Sequence, residues 1–205
     1  MNNSLKRNHR LFIRTIILLT AALLTLSALS CGKKVEPGPP DNEILARLGE
    51  LVPLSTELNE IFVGSGLKPT EKAVLSEYDI GAQYFEVADD APYRDMANLK
   101  ADAERVYSSD YLKSVYLMAF EGKAEEKLSP RYKEVGGVLF VDIAYKALTL
   151  RTAIDLSSAA VVESTKNKVK VKVNYTLKGE DSVGGQMTLV LVNQDGVWLL
   201  DGPTF

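Results

Sequence analysis

The chain has 205 residues with 24 basic and 27 acidic side chains, and it contains one histidine and one cysteine. These two residues, His9 and Cys31, both lie within the first 31 positions. Residues 32–205 therefore cannot carry a Ser-His-Asp or Cys-His mechanism, a histidine-based metal site or an internal disulfide.

Residues 1–30 have the layout of an export signal. Four basic residues precede an apolar run at 15–29, and small residues then lead into Cys31. The apolar run is shorter than the about 20 residues that a membrane-spanning helix needs. The segment resembles a bacterial lipoprotein signal peptide, which implies a lipid on Cys31 and an extracytoplasmic protein anchored to the cell membrane. An ordinary secretory signal with an incidental cysteine is the alternative.

Residues 31–41 are predicted to be the lipidated cysteine and an exposed tether. Three prolines and two glycines in this stretch prevent a helix, and an extended chain of this length reaches roughly 30 Å. The leader holds four of the 24 basic residues and no acid, so 20 basic residues face 27 acids in the remainder. An acidic domain without a basic stripe argues against nucleic acid as a partner.

Helical periodicity dominates the first part of residues 42–205. The pattern predicts a helix over 41–63, kinked or divided at Pro53, and two further helices over 95–107 and from 108 to about 122. Residues 70–80 are ambiguous and are interpreted as a short helix, and 84–87 read as a strand.

From Arg131 onward the apolar residues recur at every second position. The clearest strand runs from Val169 to Leu177, with a row of lysines on its other face, and a turn at 194–196 precedes a last strand. Helices followed by an antiparallel meander predict a single α+β domain over 42–205. The helices would pack on the C-terminal sheet, as in cystatin-like or nuclear-transport-factor-two-like rolls.

Carboxylates are the strongest remaining candidates for chemistry. The acid pairs Asp89-Asp90 and Glu125-Glu126 suggest either a glycosidase-like site or solvated turns, and the second interpretation is favoured. A calcium site from Asp79, Glu86, Asp89 and Asp90 lacks EF-hand spacing. We therefore expect no enzyme activity, no metal and no cofactor.

Several segments of the sequence, taken together, resemble those of a known protein family. They are 60–67, 84–87, 96–100, 106–111, 130–141 and 194–198. Their order and spacing resemble the IseA-type inhibitors of cell-wall DL-endopeptidases, over most of residues 42–205. The resemblance implies a non-catalytic protein that needs no cofactor. It would dock on an NlpC-type peptidoglycan hydrolase and block its active-site cleft.

The sequence offers one candidate surface for such a partner. Asp142 and Tyr145 open a long connection at 142–157, and Tyr132 and Tyr145 flank the Gly136-Gly137 turn. A helix packed on the sheet is an equally good interpretation of 142–157. The alternative function is a small-ligand or envelope-sensing module with a pocket between helix and sheet.

Overall fold

The structure is a computed structural model, and it describes residues 36–74, 81–126, 128–148, 152–177 and 180–205. Residues Glu36–Phe205 form one compact unit. The described residues of this unit form three α-helices and two four-stranded antiparallel sheets, so the predicted α+β class is confirmed. The finer assignment to a cystatin-like or related roll stays a prediction.

Helix α1 spans Asp41–Phe62 and supplies much of the core. Its buried stripe recurs every three or four residues, as the sequence predicts, and includes Ile44, Leu48, Leu51, Leu58 and Ile61. Pro53 lies inside the helix and does not divide it. Just after Pro53, the hydroxyls of Ser55 and Thr56 both donate to the carbonyl oxygen of Val52.

The first sheet contains four short strands: β1 (Pro69–Val74), β2 (Tyr84–Val87), β3 (Tyr132–Val135) and β4 (Val138–Asp142). Their order is β1-β2-β4-β3, so the β3–β4 hairpin pairs with the earlier strand β2. The prediction of a helix in 70–80 is wrong over residues 70–74, and 75–80 lie outside the described residues. Residues 69–74 form a strand because they pair with β2, a contact that their own sequence does not contain.

Helices α2 (Met96–Val106) and α3 (Ser109–Tyr116) follow the predicted boundaries. Each begins at a side-chain cap: Asp95 accepts from the backbone N–H of Asn98, and Ser108 accepts from that of Tyr111. A π-helical turn at Leu117–Glu121 continues α3 and ends at Gly122, whose φ of 69° suits glycine.

The second sheet is the predicted C-terminal meander. Its strands are β5 (Thr152–Ser164), β6 (Lys168–Leu177), β7 (Glu180–Gln194) and β8 (Val197–Leu200), in that order. The inward valines of β6, Val169, Val171 and Val173, have at most 1% of their surface exposed. Helix α1 packs against β5 and β8, and α2 packs against β8. These contacts place the helices on the apolar face of this sheet.

A buried polar network joins α1, α2 and the C-terminal segment. Tyr107 donates to Asn59 Oδ1 at 2.8 Å, and Asn59 donates to Thr204 Oγ1 at 2.8 Å. Thr204 also shares a hydrogen bond of 2.7 Å with Ser55. Tyr107 is 1% exposed, so it is part of the seam between helices and sheet.

The end of the predicted tether lies against the folded unit. Glu36 forms an ion pair of 2.8 Å with Lys166, and its carbonyl oxygen accepts from the Lys166 backbone N–H at 3.2 Å. Pro37 forms an antiparallel bridge with Thr165. A Cβ on Gly38 would collide with Ser164 and Thr165. Residues 36–38 are thus docked on the β5–β6 hairpin, while 31–35 lie outside the described residues.

Candidate functional site

The candidate site is the loop at 142–148, which we call the 142–148 loop. It follows β4 and lies beside the turn that ends α1. The predicted connection at 142–157 is shorter than expected, because β5 already begins at Thr152. Residues 143–148 form turn and irregular backbone, not a helix, and 149–151 are outside the described residues.

Hydrogen bonds hold this loop at both ends. The Asp142 carboxylate accepts from the backbone N–H of Gln83 at 2.8 Å and from that of Ala144 at 2.9 Å. The N–H of Ile143 donates to the Gln83 carbonyl oxygen at 2.9 Å. At the far end, the N–H of Leu148 donates to the Val63 carbonyl oxygen at 2.7 Å. The loop backbone is therefore fixed to β2 and to the end of α1.

The loop displays apolar side chains to solvent. Ile143 is 48% exposed and Leu148 is 47% exposed. Tyr145 lies between them and is half-buried, while Lys146 and Ala147 are exposed. Because the backbone that carries these side chains is fixed, they would lose little conformational entropy on binding another molecule.

Beneath Tyr145 lies the guanidinium group of Arg131, which is only 2% exposed. The Tyr145 ring centroid is 4.4 Å from Arg131 Cζ, a stacked cation–π contact. Arg131 Nη2 donates to the carbonyl oxygen of Gly64 at 2.6 Å. The atoms Nε and Nη1 are buried without a hydrogen-bond partner. Within the described ranges, no carboxylate pairs with Arg131.

Sequence reasoning gave Arg131 no role. Arg131 directly precedes β3. Neither the spacing of apolar residues nor a sequence motif distinguishes it from a solvated arginine at the end of a strand. Its burial results from three segments distant in the chain: the α1 turn, the start of β3 and the 142–148 loop. Such a convergence leaves no signal in a local pattern.

The predicted partner residue Tyr132 is a core residue. It has no exposed surface, and its hydroxyl donates to the Ile61 carbonyl oxygen at 2.7 Å and accepts from the Leu67 N–H at 3.1 Å. Burial raises the pKa of Tyr132 to about 12, although the positive charge of Arg131 acts in the opposite direction. A side chain without exposed surface cannot contact a partner, so a direct binding role for Tyr132 is wrong.

The other two predicted residues differ in exposure. Asp142 is 7% exposed and directs its carboxylate into its own loop, so it positions the loop and does not present itself to a partner. Tyr145 remains accessible beside Ile143. Its role as a binding residue stays a prediction.

Most of the acids that suggested a calcium or glycosidase site are paired with separate bases, and Glu126 of the second pair lies 2.9 Å from Lys123. Asp90 lies 2.6 Å from Lys68, Asp89 lies 2.5 Å from Arg94, and Glu86 lies 3.5 Å from Lys72. The hydrogen bond from Lys68 holds the pKa of Asp90 below its usual range. Asp79 lies outside the described residues, and no cluster of metal-binding side chains occurs among the residues the structure describes.

An open groove of about 390 Å³ lies between α2, α3 and the end of β7. Its walls carry both apolar and charged side chains, among them Tyr107, Leu112, Tyr116, Glu104 and Lys113. Tyr116 donates to the Lys100 carbonyl oxygen at 3.2 Å, so the groove wall is braced by helix α2. This groove bears on the small-ligand alternative.

Comparison with protein-family models gave no match, and a search of curated proteins gave no significant match. Cys31 and the rest of the predicted leader lie outside the described residues. Within the described ranges, no helix combines the length and apolar character needed to cross a membrane.

Proposed function

We propose that this protein is a non-catalytic lipoprotein of the cell envelope that binds and restrains a peptidoglycan DL-endopeptidase of the NlpC type. The single observation that supports the proposal is the exposure of apolar side chains on the 142–148 loop. The loop offers Ile143, Tyr145 and Leu148 on a backbone that neighbouring elements hold fixed. The family resemblance of the sequence supports the choice of partner, and the export leader supports the location.

The loop suits inhibition by occupancy. A fixed loop loses little conformational entropy on binding, so more of the contact energy contributes to affinity. Aromatic and large aliphatic side chains are common anchors at the centre of protein interfaces. A loop of this kind in the mouth of a hydrolase cleft would exclude the peptide substrate without any reactive group of its own.

The test is inhibition of muropeptide cleavage. The full chain, purified in mild detergent, is mixed at micromolar concentration with NlpC-type endopeptidases, and the cleavage products are separated by chromatography. We expect cleavage to slow in proportion to the inhibitor bound. Unchanged cleavage across a panel of such enzymes would reject the proposed partner class.

The proposed anchor is tested separately. Cells that express the protein are grown with radiolabelled palmitate, and we expect label in the wild-type chain and none in Cys31→Ser. An unlabelled wild-type protein would remove the lipid from the proposal while leaving the binding function open.

A second candidate function is the binding of a small envelope ligand in the groove beside α3. The observation that favours it is the volume of about 390 Å³ with mixed polar and apolar walls. Ser109 lies at the rim and is exposed, so Ser109→Trp would fill the groove without disturbing the core. This candidate predicts that a small molecule co-purifies with the wild-type chain and is lost from the variant, as measured by native mass spectrometry.

A further inference from the structure

Arg131 is a buried cation that its surroundings do not neutralise. A guanidinium group stays charged at every pH at which the protein is folded. Burial of an unpaired charge is strongly unfavourable, and proteins normally offset it with a carboxylate or a full set of hydrogen bonds. The guanidinium group of Arg131 makes only one hydrogen bond, from Nη2 to the Gly64 carbonyl oxygen, and no ion pair with any described residue.

The structural role of Arg131 does not require this arrangement. Its guanidinium packs closely on the turn after α1, where a Cβ at Gly66 would lie 2.5 Å from Nη2. One hydrogen bond and stacking account for the position of the side chain. They do not account for a permanent charge whose Nε and Nη1 donors are left without acceptors. Buried unsatisfied donors are rare in folded proteins and call for a specific explanation.

We propose that Arg131 is a carboxylate-binding residue and that its ligand is an acidic group of the protein that docks on the 142–148 loop. A guanidinium group matches a carboxylate both in charge and in its bidentate hydrogen-bond geometry. Ile143 and Leu148, two exposed apolar residues of the same loop, would supply apolar contacts to the docked protein. The assignment of the carboxylate to a partner protein rests on the proposed function. The presence of a carboxylate-binding site at Arg131 does not.

Tyr145 controls access to Arg131. Its ring covers the guanidinium at 4.4 Å, and its hydroxyl makes no hydrogen bond to any described residue. Rotation of this side chain therefore breaks the stacking contact without breaking a side-chain hydrogen bond to a described residue. The backbone of the loop keeps its bonds to Asp142 and Val63 during that rotation.

The first experiment tests the site without an endopeptidase. Sodium acetate is titrated into the full chain in detergent, with sodium chloride at equal ionic strength as the reference. We expect a saturable change in the Arg131 Nε–H resonance and a melting temperature that rises with acetate alone. Arg131→Lys should lose both effects, while Arg105→Met, a change at an exposed arginine, should retain them.

Tyr145→Ala provides a second variant in which Arg131 itself is intact. Removal of the covering ring should strengthen acetate binding several-fold in the same titration. If Arg131→Lys does not fold, this variant alone decides the question. Equal behaviour of acetate and chloride with both the wild type and Tyr145→Ala would overturn the proposal.

The second experiment identifies the source of the carboxylate. Acetate at saturating concentration should weaken the binding of the full chain to an NlpC-type endopeptidase about tenfold, and chloride should not. Acetate binding without competition would overturn the assignment to the partner protein. If no endopeptidase binds at all, the proposed function fails, and the acetate titration still decides whether the site exists.

Discussion

The hydroxyl group of Tyr132 donates a hydrogen bond to the carbonyl oxygen of Ile61, across 2.7 Å. The same hydroxyl accepts from the backbone N–H of Leu67, so one buried side chain of β3 joins both sides of the turn after α1. Tyr132→Phe leaves both backbone groups buried without a partner. We expect the free energy of unfolding to fall by about 1–3 kcal/mol, measured by urea denaturation.

Tyr145→Phe is the matched control for that change, because the Tyr145 hydroxyl has no hydrogen-bond partner among the described residues. It should alter stability by less than about 0.5 kcal/mol. Equal destabilisation by the two substitutions would contradict the role assigned to Tyr132.

Asp142 should determine the conformation of the 142–148 loop. Asp142→Ala removes the acceptor for the N–H groups of Gln83 and Ala144, and we expect a loss of about 1–3 kcal/mol in unfolding free energy. Asp142→Asn keeps an oxygen at the same position, so its loss should be smaller than that of the alanine variant. Hydrogen exchange at the two amides measures the local effect, and similar protection in both variants would count against this account.

The exposed apolar pair of the loop should carry affinity and not stability. In the double variant Ile143→Asp, Leu148→Asp, we expect binding to the endopeptidase to weaken at least tenfold, with an unfolding free energy within about 0.5 kcal/mol of wild type per site. Val197→Asp is a matched control, because Val197 is 49% exposed but lies on β8. Surface plasmon resonance compares the three proteins, and an equal loss with Val197→Asp would remove the loop from the interface.

Alkaline pH should destabilise the fold through its buried tyrosines. Burial raises the pKa of Tyr111 and of Tyr132 to about 12, above the value of 10 expected for an unfolded chain. Between pH 10 and 12 the unfolded state therefore loses protons first, so stability is fully present below pH 10 and declines as pH rises. Tyr132 alone should contribute a slope of about 1.4 kcal/mol per pH unit in this window.

Absorbance at 295 nm checks this directly. Fewer than the nine tyrosines of the chain should ionise near pH 10 in the native protein, whereas all nine should do so in concentrated urea. If the titration curve of the native protein superimposes on the curve in urea, the raised pKa values of the buried tyrosines are refuted.

The docked end of the tether should depend on Gly38. Gly38→Ala introduces a Cβ that collides with Ser164 and with the backbone of Thr165, so residues 36–38 should detach from the hairpin. Limited proteolysis should then cut near residue 36 several-fold faster, with little change in global stability. Gly202→Ala is the control, since a Cβ there meets no atom within 4 Å. Unchanged cleavage in Gly38→Ala would mean that the docking is not held at this position.

Local patterns predicted the elements whose own sequence carries the signal. The stripe of α1, the positions of α2 and α3, and the alternation of β6 all correspond to the structure. The Asp195-Gly196 turn, with φ of 55° and 89°, also follows from its residues. In each case neighbouring residues along the chain determine the conformation.

The rest depends on contacts that a local pattern does not contain. The residues of 70–74 do not by themselves predict strand β1, because its partner β2 lies beyond an intervening segment, and the pairing of β4 with β2 is likewise absent from any local pattern. The sequence does not reveal that Tyr132 is buried, since alternation does not show which face of β3 is covered. The burial of Arg131 results from three distant segments and was not foreseen.

The contact between Glu36 and the β5–β6 hairpin limits the range over which this protein can act. If Cys31 carries the lipid, only five residue steps separate the membrane surface from Glu36, a contour of at most about 18 Å. Strand β5 leads from the hairpin toward the 142–148 loop and, at 13 residues, adds up to about 43 Å. The four residue steps from Thr152 to Leu148 add at most about 14 Å. Under the proposed function, the loop would therefore meet only hydrolases that work within about 75 Å of the membrane, and cleavage in the outer layers of a thick wall would go unrestrained.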